Sequence, residues 1–98
     1  MKVSILDLHC LNAIADDYET ITSIVDDVRR SSHGNVDADD VATCMTDLVR
    51  EGLVDAYRLD PATSTYVRIV ALPDRLDAAW FRINDRGRQQ LDASWVDE

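Results

Sequence analysis

At 98 residues, 46% hydrophobic and 30% charged, the chain is long enough for one domain with a single modest core, and too apolar to be disordered. Nineteen acids against ten lysines and arginines give a net charge of −9, which in bulk repels nucleic acid and anionic lipid. No apolar run approaches the roughly 20 residues of a membrane span, and Met1-Lys2-Val3-Ser4 leads straight into a mixed segment rather than a signal peptide, so the expected compartment is the cytoplasm and no membrane partner is expected.

Ser4, followed three residues later by Asp7, marks a helix start, and a first helix is expected over residues 4–17. Leu8, Leu11, Ile14, Ala15 and Tyr18 fall on one face of it; Leu6, Cys10 and Ala13 fall nearly opposite. A helix apolar on two faces has two things to bury against. Asp16-Asp17-Tyr18-Glu19 is a polar break, after which Thr20 or Thr22 caps a second helix over residues 20–32. That helix buries Ile21, Ile24, Val25 and Val28 and carries Arg29 and Arg30 in its last turn, where cations suit the helix dipole. Ser31-Ser32-His33-Gly34-Asn35 connects it to the next helix at a length that suits a steep crossing.

The stretch from Val36 to Leu59 organises the chain. Asp37 is positioned to cap a helix over residues 37–51, with Asp40 placed to reach back as in a capping box. Val41, Cys44, Met45, Leu48 and Val49 form one apolar stripe, and Gly52 offers the left-handed conformation that ends a helix. A strand over 53–59 follows, terminated at Asp60-Pro61. Residues 66–70 return antiparallel, 72–77 form a second loop, and 79–83 a third strand. Asn84 caps a last helix over 85–95, with Leu91 and Trp95 on its buried side. The expected core contains Leu11, Ile14, Ile24, Val28, Val41, Leu48, Leu53 and Phe81.

Little in this pattern carries chemistry. His9 and His33 are the only histidines; His9 adjoins Cys10, but helix neighbours point about 100° apart and make a poor ligand pair. Cys10 and Cys44 belong to no CxxC pair and sit among apolar helical positions, as buried free thiols do. The pairs Asp16-Asp17, Asp26-Asp27 and Asp39-Asp40 are solvated helix surface and helix ends, without calcium-loop spacing. There is no HExxH and no glycine-rich phosphate loop, and Ser31 and Ser32 beside His33 lack any oxyanion scaffold. No catalytic residue, metal site or cofactor is expected, and the chain is not read as an enzyme.

Two motifs point to a family. Leu48-Val49-Arg50-Glu51-Gly52-Leu53-Val54 looks like the end of a recognition helix running into the first wing strand, and residues 80–91, WFRINDRGRQQL, are similar to a closing strand, capped turn and helix. In this order they resemble the winged helix family of bacterial and archaeal transcription regulators, over about residues 5–95 of a single domain spanning 1–98. The resemblance implies an α+β winged helix-turn-helix: three helices, a small antiparallel sheet forming the wing, and a C-terminal helix.

It also implies a function and the sites that would carry it. The third helix would enter the major groove of double-stranded DNA, presenting Thr43, Thr46 and Arg50, with Arg29, Arg30, Arg58, Arg68 and Arg75 on the phosphate backbone. Against this stands the first turn of that helix, where Asp37, Asp39 and Asp40 sit at the end that leads into the groove. The alternative is a winged helix used for protein contact that does not bind DNA, since one fold serves both. A homodimer is expected through the second strip of the first helix and the last helix: Leu6, Cys10, Ala13, Leu91, Trp95 and Val96.

Overall fold

The computed structural model describes residues 3–32 and 36–95; His33, Gly34, Asn35, Val96 and the side chain of Trp95 lie outside what it describes. The elements are α1 (Ile5–Ala13), β1 (Glu19–Thr20), α2 (Ile21–Ser32), α3 (Ala38–Arg50), β2 (Val54–Asp60), β3 (Thr65–Ile69), β4 (Trp80–Ile83) and α4 (Asp85–Trp95), with one 3-10 turn at Leu76–Ala78. Helices come first, then an antiparallel sheet in the order β1-β4-β2-β3, then the closing helix: an α+β domain.

Capping chemistry fixes the helix starts. Ser4 Oγ accepts from Asp7 N at 3.1 Å while Asp7 Oδ2 accepts from Ser4 N at 2.9 Å, a complete capping box. Thr20 Oγ1 accepts from Ser23 N at 3.3 Å, and Asp37 Oδ1 from Asp39 N at 3.0 Å. Asp40, expected to reach back to the cap, is simply exposed in the first turn.

α1 is shorter than expected: residues 14–17 form a turn, and an unexpected two-residue strand follows at Glu19–Thr20. Ile14 leaves helical geometry at φ −108°, ψ 14°, and the chain tightens through Ile14 N to Leu11 O and Ala15 N to Asn12 O. Glu19 and Thr20 must then be extended, because they pair with Phe81 and Trp80 of β4. Tyr18 is carried with them, off the face of α1 to which periodicity assigned it.

The core lies between the three helices and one face of the sheet. All eight residues expected there are buried, joined by Cys10, Met45, Val54, Ala56, Ile83 and Leu91 among others. Ala56 is flanked in register by Phe81 and Ile69, so the smallest inward residue of the sheet sits beside the largest. Among the described residues Asp7 is the buried charged side chain, 9% exposed, and its second oxygen accepts from Cys44 Sγ at 2.7 Å. The capping box of α1 is thereby tied to α3. Cys10 and Cys44 are both buried and free, and contact with Cys10, burial and Asp7 together push the Cys44 thiol well above its ordinary range.

The two sequence motifs meet where α3 gives way to β2. Gly52 takes φ +78°, Leu53 N returns to Leu48 O at 3.0 Å, and Asn84 Nδ2 donates to Gly52 O at 2.8 Å. Asn84 Oδ1 also accepts from Gly87 N at 2.9 Å, starting α4. A Cβ on Gly87 would lie 2.1 Å from Leu53 O, so only glycine lets α4 lie this close to the strand.

Urea denaturation checks this packing. Leu48→Ala is expected to cost roughly 2–5 kcal/mol, as for a closely packed leucine. Gly87→Ala is expected to cost about 1–3 kcal/mol or more through overpacking against backbone that cannot swing aside; a neutral outcome would mean α4 does not sit against Leu53.

Candidate functional site

Two surfaces compete for attention: the outward face of α3 and the open face of the sheet. α3 turns its apolar stripe inward, so its outward face is whatever remains. Asp37, Asp39, Asp40, Thr43, Asp47, Arg50 and Glu51 are exposed there, five acids against one arginine. Thr46 is half-buried, and its hydroxyl donates to Ala42 O at 2.9 Å, back into its own helix.

The remaining arginines expected on DNA are largely engaged. Arg29 Nε donates to Val36 O at 3.0 Å, linking α2 to the approach of α3. Arg30 pairs with Asp27 one turn back on α2. Arg68 meets Asp55 at 3.3 Å, and Arg75 meets Asp77 at 2.9 Å. In the last pair the guanidinium lowers the Asp77 carboxyl below its ordinary range and is itself raised. Arg58 and Arg68 share the β2–β3 hairpin but not a face: Arg58 stands opposite Val67 and Arg68 opposite Tyr57, and the face alternates with each residue. Arg50 and Arg58 are exposed without an ion pair among the described residues.

The expected dimer strip is placed differently. Cys10 and Leu91 are buried within the single chain, and Leu6 and Ala13 are partly buried against the same core. The second apolar face of α1 is covered within the chain: Cys10 lies against Cys44 of α3, and both Cys10 and Leu91 are buried in the core. α4 also packs on α1, where the Arg88 guanidinium donates to Ala15 O.

The open face of the sheet holds what sequence reasoning missed. Alternation places Asp55, Tyr57 and Leu59 of β2, Tyr66 and Arg68 of β3, and Trp80 and Arg82 of β4 on the side away from the helices. Tyr18 lies over them. Its ring stacks on Tyr66 at 3.9 Å between centroids, meets Tyr57 edge-on at 4.9 Å, and carries the Arg82 guanidinium 5.1 Å from its centre. Trp80 meets Tyr66 edge-on at 5.3 Å. Burial among these rings, then the Asp55 and Tyr18 charges, raises the Tyr57 hydroxyl above its ordinary range, opposed by Arg82 and Arg68. The available signal was the period-2 alternation within each strand, Tyr57 with Leu59, Tyr66 with Arg68 and Trp80 with Arg82.

A third feature is a cleft of about 490 Å³ between α1 and α2, lined by His9, Asp16, Asp17, Glu19, Asp27 and Arg30 among others. Burial, then Asp27 and Asp17, raises the Glu19 carboxyl. Ser31, in the last turn of α2, lies 3.0 Å from His9 Nδ1. No group of three or more metal-ligating side chains is assembled among the described residues.

The chain thus defines a small α+β domain: helices, a four-stranded antiparallel sheet and a closing helix, in which no described helix is long and apolar enough to cross a membrane. Comparison with protein-family models, with curated proteins and with solved structures finds no match.

Tyr18→Ala is expected to destabilise the fold by about 1–3 kcal/mol, the sum of a stacked pair, an edge contact and a cation–π contact. Tyr18→Phe should retain nearly all of that, since the Arg82 contact to the hydroxyl is long at 3.5 Å. Urea titration followed by Trp80 fluorescence separates the two variants; equal losses would place the stability in the hydroxyl rather than the ring.

Proposed function

We propose that this chain is a non-catalytic protein-interaction module of winged-helix type rather than a reader of duplex DNA. Support for the winged-helix architecture comes from the element order: three helices, a hairpin leaving the third, and a closing strand and helix joined to that hairpin through Asn84. The observation that carries the functional reading is the outward face of α3, where five exposed acids accompany Arg50. A helix that enters the major groove leads with its first turn, and here that turn carries Asp37, Asp39 and Asp40. Phosphate contact would set these carboxylates against the densest negative charge in the cell, and a net charge of −9 adds to the repulsion. Local pairing of Arg30, Arg68 and Arg75 with aspartates removes the basic strip that would offset it.

A second reading has its own observation. Thr43, Arg50 and Arg58 are exposed on α3 and the hairpin, and neither arginine is tied in an ion pair among the described residues. Contact with duplex DNA would run through these three side chains.

Fluorescence anisotropy of labelled random-sequence duplex, titrated with the protein over a series of salt concentrations, separates the readings. The module reading expects binding weaker than about 10⁻⁴ M, the feeble end of non-specific association. It also expects Asp39→Asn/Asp40→Asn to strengthen binding as two repelling charges vanish. Micromolar affinity that Arg50→Ala abolishes would overturn it in favour of DNA recognition.

A further inference from the structure

The sheet has two edges, and they are treated differently. β1 is two residues long, too short to template another strand. β3 runs five residues, Thr65–Ile69, and among the described residues its backbone bonds to no element other than β2. Natural edges are blunted by charged side chains, above all lysine, by proline, by a bulge or by a covering element. Among the described residues β3 has one charged side chain, Arg68, and no lysine, proline, bulge or covering element. Its register with β2 runs unbroken from Ala56↔Ile69 to Asp60↔Thr65, and no lysine or proline lies within it. Immediately past its end Val70 is wholly exposed, at 103% of the reference value.

Charge marks the same edge. The 13 residues from Pro61 to Pro73 contain no acid, the longest such stretch in a chain of 19 acids. Two molecules of net charge −9 repel almost wherever they touch. At this edge the only charge is Arg68, itself exposed and paired at 3.3 Å with Asp55, a mostly covered carboxylate on β2.

We infer that β3 is the docking edge for a second copy of this chain, the two strands pairing antiparallel about a two-fold axis at Val67. This rests on the protein-interaction reading above and names its partner. The register follows from symmetry. Val67 faces its own counterpart, Thr65 faces Ile69 of the other copy, and Tyr66 faces Arg68 of the other copy. The last pair sets a tyrosine ring beside a guanidinium twice per dimer, on the face that already carries the aromatic cluster. Main-chain hydrogen bonds supply the affinity, as in other strand additions, and the two sheets become one of eight strands.

Sedimentation equilibrium at micromolar to submillimolar concentration reads the outcome. Wild type is expected to populate a species of twice the 11.0 kDa chain mass. Thr65→Lys/Val70→Lys places gatekeeper charges on two exposed positions at the ends of the edge and should weaken the dimer at least about tenfold. Because these lysines also reduce the net negative charge, they would strengthen a dimer formed anywhere else. Val67→Cys, treated with oxidised glutathione, should yield a disulfide-linked dimer, since the strand pairing brings the two Cα atoms within bridging range of about 4.5–5.5 Å. Thr22→Cys, exposed on α2, should not, and the native Cys10 and Cys44 are buried. A monomer at all concentrations, a dimer unchanged or tightened by the lysine pair, or equal crosslinking at positions 22 and 67 would each overturn the inference. None of these touches the DNA titration, so the two readings fail separately.

Discussion

The geometry of the domain depends on Asn84. Its amide donates to Gly52 O at the end of α3 and reaches Asp55 Oδ1 on β2 at 3.4 Å; its carbonyl caps α4 through Gly87 N; its own N–H reaches Leu53 O at 3.3 Å. Four element ends are fastened at one residue. Gly52 and Gly87 make the arrangement possible from either side, one by turning the chain through a left-handed conformation, the other by presenting no side chain to Leu53 O. With the junction fixed, α3 has one orientation relative to the sheet. Its outward face and the β3 edge are therefore surfaces of one rigid frame.

Much of that frame was legible because it is written in local chemistry. Ser4, Thr20, Asp37 and Asn84 cap helices by hydrogen bonds that span two or three residues, and Gly52 stops one by conformation. The stripe of Val41, Cys44, Met45 and Leu48 announces its buried face by spacing alone. What escaped was decided by distant partners. β1 is two residues and has no periodicity to detect; it is a strand only because β4 lies beside it. That pairing ended α1 at Ala13 and moved Tyr18 from a helix face to the open sheet. The Leu6–Cys10–Ala13 strip was visible as apolar, but no pattern within one helix distinguishes a cover from the same chain from one supplied by another. Likewise, the arginines were countable, whereas their partners Asp27, Asp55 and Asp77 were assignable only once the fold set the distances.

Those local pairs do little for stability, since exposed ion pairs are worth about 0–1 kcal/mol. Their effect is on the field. Arg30, Arg68 and Arg75 each lie within reach of an aspartate, which cancels most of what a phosphate would feel beyond the screening length of about 8–10 Å. Among the described residues, the acids on α3 have no such counterweight apart from Arg50. Surface potential is consequently set by where acids are left unpaired, and the helical half of the molecule is the more negative one.

The aromatic cluster bears on why the edge, rather than the open face, is suited to a partner. A sheet with apolar residues on both sides needs two covers, and the helices supply only one. Tyr18, Tyr57, Tyr66 and Trp80 supply the other from within the chain, with their rings packed on one another. Each remains only half-buried. Tyrosine meets both demands: its ring covers the neighbouring ring while its hydroxyl stays wet. A face that already covers itself gains little from further apolar contact. What it contributes is stiffness, because Tyr18 bridges β2 and β3 through Tyr57 and Tyr66. A stiffened sheet holds β3 extended, and among the described residues its outer edge pairs with no other element.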